Sequence, residues 1–375
     1  MKLVLFYHSL VSDWNHGNAH FLRGVVRELL ALGHDVEVHE PADGWSLTHL
    51  IAEHGQHALA EFRAAYPELS SRFHTEAQLE LEQALEGADL VIVHEWNTPA
   101  LVATVGEIAA RLGVRAFFHD THHRSVTDPA SMSRLDLSRY EGVLAYGETI
   151  AERYRTNGWA KRVWVWHEAA DVGRFHPLAS EREGDLVWVG NWGDDERTEE
   201  LHEFLIEPVS ELGLAARIFG VRYPPSALRA LARAGISYGG WLANHAVPRA
   251  FARHACTVHV PRRVYRDCLW GIPTIRMFEA LACGIPLVSA PWIDCERLFR
   301  TDVDYLVARD GREMREHLRL IMHSPELRAS LARHGLETIR AHHTCAQRVR
   351  QLLSIVAETR PTVQPAVQHL AGASL

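Results

Sequence analysis

The chain has 375 residues, 47% of them hydrophobic and 23% charged, a composition that excludes a disordered or fibrous protein and predicts two domains of ordinary size. A formal net charge of −8 at pH 7 argues against nucleic acid as the main partner. Five cysteines without a CxxC pair argue against a disulfide framework or a zinc knuckle, and no stretch is apolar for long enough to span a membrane, so a cytoplasmic protein is expected.

LVLFYH at residues 3–8 is strand-like, and the polar loop after it carries Gly17 and Asn18. Phe21, Val25, Leu29 and Leu32 then recur at helical spacing up to Gly33, and DVEVHE alternates as a strand. This is a βαβ opening of Rossmann type without the GxGxxG fingerprint. Residues 45–86 are predicted to be helical, in two segments parted near Tyr66, Pro67 and Glu68. The strand ADLVIVHEW ends in His94, Glu95, Trp96 and Asn97, and VRAFFHD ends in His119, Asp120, Thr121, His122, His123 and Arg124. Ligands of open parallel α/β sheets collect beyond the carboxyl ends of strands, so both polar clusters are candidate site residues. The second cluster admits three readings: ligands for zinc or manganese, acid–base and hydrogen-bonding work on a substrate, or a loop whose histidines cap helices or pair with Asp120. After the strand GVLAYG and a helix, VWVWHEAADVGRFHP leads to a domain boundary near Pro177. There His167, Glu168 and Asp171 either line the cleft beside the hinge or satisfy backbone groups of an irregular linker.

The second half opens with the strand Val187, Trp188 and Val189 and a turn bearing Gly190, Asn191 and Gly193, a natural cradle for a diphosphate with Arg197 as its charge partner. Asp194 or Asp195 is the expected cap of the helix that follows. ARIFG and SYGGW are further strands, residues 248–254 a helix, and CTVHVP a strand that delivers Arg262 and Arg263. Adjacent residues in extended chain point to opposite sides, so one arginine is assigned to phosphate and the other to solvent. Lysine occurs only at Lys2 and Lys161, which leaves phosphate recognition mainly to arginines, backbone N–H groups and helix termini. In GIPTIRMFEALACGIPLVSAP, Pro273 suits a first helical position, Gly284 a helix exit, and residues 287–290 a buried strand. Thr274 stands at the helix N-terminus, and Arg276, Glu279 and Cys283 share a face, either to hold an anionic ligand or as an intrahelical ion pair. Trp96, Trp192, Trp241, Trp270 and Trp292 recur beyond strand ends, as stacking surfaces or as packing. Residues 310–358 are amphipathic helices, and residues 361–375 are read as a poorly ordered tail.

FEALACGIPLV closely resembles the nucleotide-sugar signature of retaining glycosyltransferases of the two-Rossmann-domain (GT-B) type. Together with RMFEALACGIP and the later HTCAQR, the resemblance is strongest to their spore-maturation (CgeB-like) branch. It implies an α/β fold of two Rossmann-like domains facing across a cleft: residues 1–177 on the acceptor side, 178–342 for the nucleotide sugar, and 343–360 as a helix crossing back to the first domain. By the same resemblance Glu279 fixes the ribose, and His94 and His119 occupy places where related enzymes put a cleft histidine. The family's first Glu, which touches the donor sugar, is replaced here by Gly271. The reading is therefore metal-independent, retaining transfer from a nucleoside diphosphate sugar of UDP or GDP type. His94, His119, Asp120 and Arg276 are assigned to catalysis. Gly190, Asn191, Gly193, Arg197, Arg262, Thr274, Arg276 and Glu279 are assigned to the donor, and Gly17, Asn18, Glu95 and His122 to the acceptor. Homo-oligomerisation is left open, and a nucleotide-sugar epimerase or a non-catalytic carbohydrate-binding protein are the alternatives.

Overall fold

A computed structural model describes residues 1–15, 17–193 and 196–359. The expected caps Asp194 and Asp195 and the 361–375 tail lie outside the described residues.

Two parallel sheets carry the architecture. The first contains β1 (Lys2–Phe6), β2 (Asp35–Pro41), β3 (Arg72–His74), β4 (Leu90–His94), β5 (Arg115–Asp120), β6 (Gly142–Ala145) and β7 (Val163–Val165), in the order β3-β2-β1-β4-β5-β6-β7. The second contains β8 (Gly184–Val189), β9 (Ala216–Phe219), β10 (Ser237–Tyr238), β11 (His254–His259), β12 (Leu287–Ser289) and β13 (Leu306–Val307), in the order β10-β9-β8-β11-β12-β13. Helices cover both faces, so inner strands such as β4 are buried along their whole length, which is why they read as unbroken apolar runs. In each sheet the order reverses beside the first strand, between β1 and β4 and between β8 and β11. Such a reversal opens a crevice at the carboxyl ends of the strands.

Three local expectations are revised. The Trp45–Ala65 helix kinks at Gly55 (φ 65), and the following segment yields the edge strand β3 and the short Leu81–Leu85 helix instead of a second long helix. RFH is too short to show a period, and its pairing with residues 39–41 of β2 decides its state. The helix expected at 248–254 runs Val247–Ala252, and His254 begins β11. Pro273 lies one residue outside the Ile275–Cys283 helix, which Thr274 precedes as N-cap, while Gly284 closes the helix in the left-handed conformation (φ 66).

The Cys345–Glu358 helix returns to the first domain and packs on the Asn18–Ala31 helix. Thr344 and Gln347 close its first turn as a capping box. Arg348 Nε donates to the His167 carbonyl at 2.9 Å, and its own carbonyl accepts from Trp166 Nε1 at 2.9 Å. HTCAQR is thus the clasp between the final helix and the linker.

Candidate active site

The carboxyl ends of the two sheets face each other across a cavity of about 620 Å³. Gly17 shows how closely the domains meet: a Cβ there would stand 2.5 Å from Ile275 Cγ2.

On the second-domain wall the chain turns sharply after β8. A side chain at Gly190 would meet the ring of Trp188 at 2.6 Å, and Gly193 has φ +89. Asn191 Oδ1 accepts from the Val221 amide at 2.8 Å, and its Nδ2 bonds Asn15 across the cleft. Arg197 lies over Trp188, 5.3 Å from the ring centroid, and donates to the carbonyls of Val260 (2.9 Å), Asn191 and Trp192. Burial, with Arg262 nearby, pushes it down to about 10, so it stays charged at neutral pH. Arg262 pairs with Glu196 at the cavity, whereas Arg263 turns away to Glu199 (2.9 Å) and Glu200 (2.7 Å). Arg262 is therefore on the cleft, and Arg263 faces away because it opens the Arg263–Asp267 helix, not because an extended chain alternates there.

Thr274 Oγ1 lies 3.1 Å from His259 Nε2, and His259 Nδ1 lies 2.9 Å from Ser289 Oγ, which donates to the Ala290 carbonyl at 2.7 Å. Ser289 has spent its proton, so His259 donates from Nδ1 and accepts from Thr274 at Nε2. Burial, then Arg197 and Arg276, push His259 down to about 3, consistent with a neutral ring. The first amides of the Ile275–Cys283 helix have no intrahelical partner and make its N-terminus attractive to anions.

Arg276 lines the cavity and pairs with Glu279, which is completely buried. Asn244 Nδ2 donates to Glu279 Oε1 at 2.6 Å, and His20 Nδ1 lies 3.2 Å from the same oxygen. His20 accepts from the Asp171 amide at Nε2 (2.9 Å), so the proton of its neutral ring is on Nδ1, facing Glu279. Burial alone would raise Glu279, but Arg276, His20 and Asn244 outweigh it and hold the carboxyl below its usual range. Glu279 therefore stands behind Arg276 and Asn244. Those two residues, with Trp241 and Leu242, line a narrow annex of about 60 Å³ into which Glu279 does not open.

The first-domain wall corrects several expectations. Gly17, Asn18, Thr121, His122 and His123 line the cavity, and Asn18 bonds the Thr121 hydroxyl, which also lies 2.9 Å from His94 Nε2. His94, Glu95, His119 and Asp120 do not line it. His119 is 1% exposed, with Nδ1 2.6 Å from the Tyr7 hydroxyl and its ring 4.7 Å from Trp166, and burial pushes it down to about 3. Asp120 accepts from Tyr154 (2.8 Å) and the His122 amide (3.0 Å), and burial raises it to about 6. Glu95 pairs with Arg124, yet burial and Asp120 raise it to about 8. These four assignments placed side chains in the cleft because they end strands. Both faces of β4 and β5 are covered, so the last side chains of these strands point into the core. Among the described residues no three His, Cys, Asp or Glu side chains converge as a metal site.

The linker divides its three candidates. Asp171 is bound by Arg27 (2.7 and 2.9 Å), and His167 bridges the Tyr146 carbonyl (2.9 Å) and Glu296 (3.0 Å). Glu168 lines the cavity, 5% exposed, and its Oε1 has no hydrogen-bond partner among the described residues. Burial and then Glu279 raise it to about 8. Gly271 (φ +82) is outside the cavity, and a Cβ there would meet Glu296 Cγ at 2.7 Å. Of the five tryptophans, Trp96 and Trp241 reach the cavity and its annex, Trp192 and Trp292 are buried, and Trp270 is half exposed away from both. Sequence reasoning missed Trp45 and His8, which join Trp96 on the first-domain wall. Trp45 opens a long helix and His8 follows β1, and only packing shows that both face the cleft.

Residues 197–354 match the family model described as glycosyl transferase-like. No curated protein matches the chain in sequence. Among solved structures, Anabaena HepE in complex with UDP and glucose is similar with a TM-score of 0.68 at 13% identity, over 95% of this chain and 99% of that one. An alpha-glucosyltransferase in complex with UDP and a 13-mer DNA is similar at 0.67 and 14% identity, over 95% and 99%. Sucrose-phosphate synthase from Thermosynechococcus elongatus is similar at 0.64 and 12% identity, over 96% and 98%. The fold is GT-B, two Rossmann-like domains about a cleft, and residues 197–354 of its second half are similar to the glycosyl transferase-like family. No helix among the described residues is long and apolar enough to cross a membrane.

Proposed function

We propose that the chain transfers a glycosyl group from a nucleoside diphosphate sugar, with the diphosphate on the second-domain wall and the acceptor on the first. The observation that carries this reading is the convergence of Arg197, Arg262 and Arg276 with the Gly190–Gly193 turn and a helix N-terminus on one cavity. Three guanidinium groups and free amides at one switch point suit a diphosphate, whose leaving-group charge they stabilise as it develops. The UDP and UDP-glucose held by GT-B neighbours favour a UDP-type donor. In the transfer, an acceptor hydroxyl oxygen bonds the anomeric carbon, and the bond to the diphosphate breaks with its electron pair going to phosphate oxygen. The acceptor proton passes to that oxygen in the retaining course that the signature favours. Arginines and helix amides supply the charge, so no metal ion has a part in this reading. Its relation to the spore-maturation branch rests on RMFEALACGIP and HTCAQR.

Glu279 acts here through Arg276 and Asn244, which it orients. The non-catalytic alternative drew on Gly271, but that position does not border the cavity and says little about catalysis. Thermal unfolding with UDP, GDP, ADP, CDP and dTDP, each in excess, tests the donor site: one nucleotide raises the midpoint through mass action. No shift with any of the five would overturn the reading.

A further inference from the structure

We propose that Glu168 is the carboxyl group that receives the transferred sugar, through hydrogen bonds to its ring hydroxyls. The inference rests on the donor-site reading above and assigns the part of the cavity beyond the arginines. Glu168 follows β7 at the start of the linker, so its backbone is fixed by the first domain while its side chain borders the cavity shared with Thr274, Ile275 and Arg276. Among the described residues it is the only carboxyl that lines this cavity.

Its surroundings define what it can bind. The carboxyls around it are satisfied: Glu279 by Asn244 and Arg276, Asp171 by Arg27, and the partly buried Glu296 by the Glu148 amide (2.9 Å) and His167. Among the described residues Glu168 Oε1 is buried without a hydrogen-bond partner, and the titratable groups there that interact with this carboxyl are Glu279, Tyr146 and Tyr265. Among the described residues no cation neutralises it. A buried carboxyl left this way costs the folded state its desolvation, and a ligand that brings O–H donors recovers that cost. The arginines line the second-domain wall and this carboxyl stands on the linker side, which sorts the cavity into an anion-binding wall and a hydroxyl-binding corner. A nucleoside diphosphate sugar has that polarity along its length, with charge at the diphosphate and hydroxyls at the transferred end. Because burial holds Glu168 protonated up to about pH 8, at neutral pH its carboxyl both donates and accepts, as pairing with vicinal hydroxyls requires.

No carboxyl can take this place from the helix entry. A side chain at Gly271 would run into Glu296, and the backbone there is left-handed. The corner therefore depends on the linker.

The test is calorimetric binding of UDP, UDP-glucose, GDP and GDP-mannose to wild type, Glu168→Gln and Glu168→Ala. The expected result is that Glu168→Ala weakens a sugar nucleotide roughly tenfold or more while the matching free nucleotide changes by less than about twofold. Glu168→Gln, which keeps one donor and one acceptor, falls between wild type and Glu168→Ala. Equal losses for nucleotide and sugar nucleotide indicate a structural role and overturn the assignment, as do unchanged affinities for both, or a wild type that binds nucleotides but neither sugar nucleotide. A wild type that binds none of the four overturns the donor-site reading itself.

Discussion

The two walls of the cleft solve opposite electrostatic problems. On the second-domain wall, among the described residues, Arg197 is held by carbonyls, and Arg262 and Arg276 each take one carboxylate. Behind the first-domain wall, among the described residues, acid is in excess: Glu95 and Asp120 share one arginine, Arg124, and Glu168 has none. An arginine cannot shed its proton, so spare positive charge in a cavity waits for an anion. A buried carboxyl can take up a proton instead, and on the first-domain side all three are raised, to about 8, 6 and 8. The asymmetry gives the cleft the polarity of its proposed donor.

Removing Arg124 is the strongest way to break this balance. Arg124→Ala leaves Glu95 and Asp120 buried with no facing cation, and a loss of about 3–5 kcal/mol is expected from denaturant unfolding. Proton uptake by the two acids softens the loss at pH 6, so the variant should be relatively worse at pH 9. Equal losses at both pH values would show that Arg124 acts through packing on Trp96, 4.5 Å from its ring centroid, and not through charge.

On the opposite wall, Arg276→Ala removes one phosphate contact and uncovers Glu279. Nucleoside diphosphate affinity should fall by about 1.5–3 kcal/mol, the scale of a hydrogen bond to a charged group. Glu279→Gln keeps the bond from Asn244 but releases Arg276 from its ion pair, so it should change affinity less than Arg276→Ala. A larger effect in Glu279→Gln would mean that Glu279 touches the ribose directly, as the sequence signature implies.

Glu168 sharpens the comparison through pH. A carboxyl whose folded-state pKa is raised contributes fully below the ordinary value of 4.5, and that contribution is lost as pH rises through about 8. Wild type should therefore weaken between pH 6 and pH 9 relative to Glu168→Gln, by roughly 1–2 kcal/mol after allowance for water entering the cavity. Parallel stability profiles would show that Glu168 ionises as an exposed carboxyl does.

What could be read from the sequence follows the range of the forces involved. Local punctuation placed the Gly190–Gly193 turn, the Gly284 exit and the buried runs of β4 and β12, because φ preference and burial on both faces act within a few residues. The same logic misplaced His119 and Asp120, since ending a strand does not say which way the last side chains point. Arg276 and Glu279 were recognised as sharing a helix face, but their ion pair is completed by Asn244 and His20, which are far away in sequence. The sequence leaves the place of Glu168 open for the same reason. An absent partner is a property of the whole fold, and no spacing encodes it.

The clasp on HTCAQR offers the mildest perturbation. Thr344 Oγ1 accepts from the Gln347 amide at 3.3 Å, while Gln347 Oε1 accepts from the Thr344 amide at 2.8 Å. Thr344→Ala should cost about 1 kcal/mol, the usual value of an N-cap hydroxyl. The helix it caps joins the linker through Arg348 and pairs Ala170 with Thr344, so fraying there also loosens the backbone that presents Glu168. Hydrogen exchange should therefore quicken at the amides of residues 345–348 and 168–171 together, with β8 and β11 unaffected. If only the helix amides respond, the linker is held by Asp171 and Arg27 instead, and the two walls keep their spacing independently of the clasp.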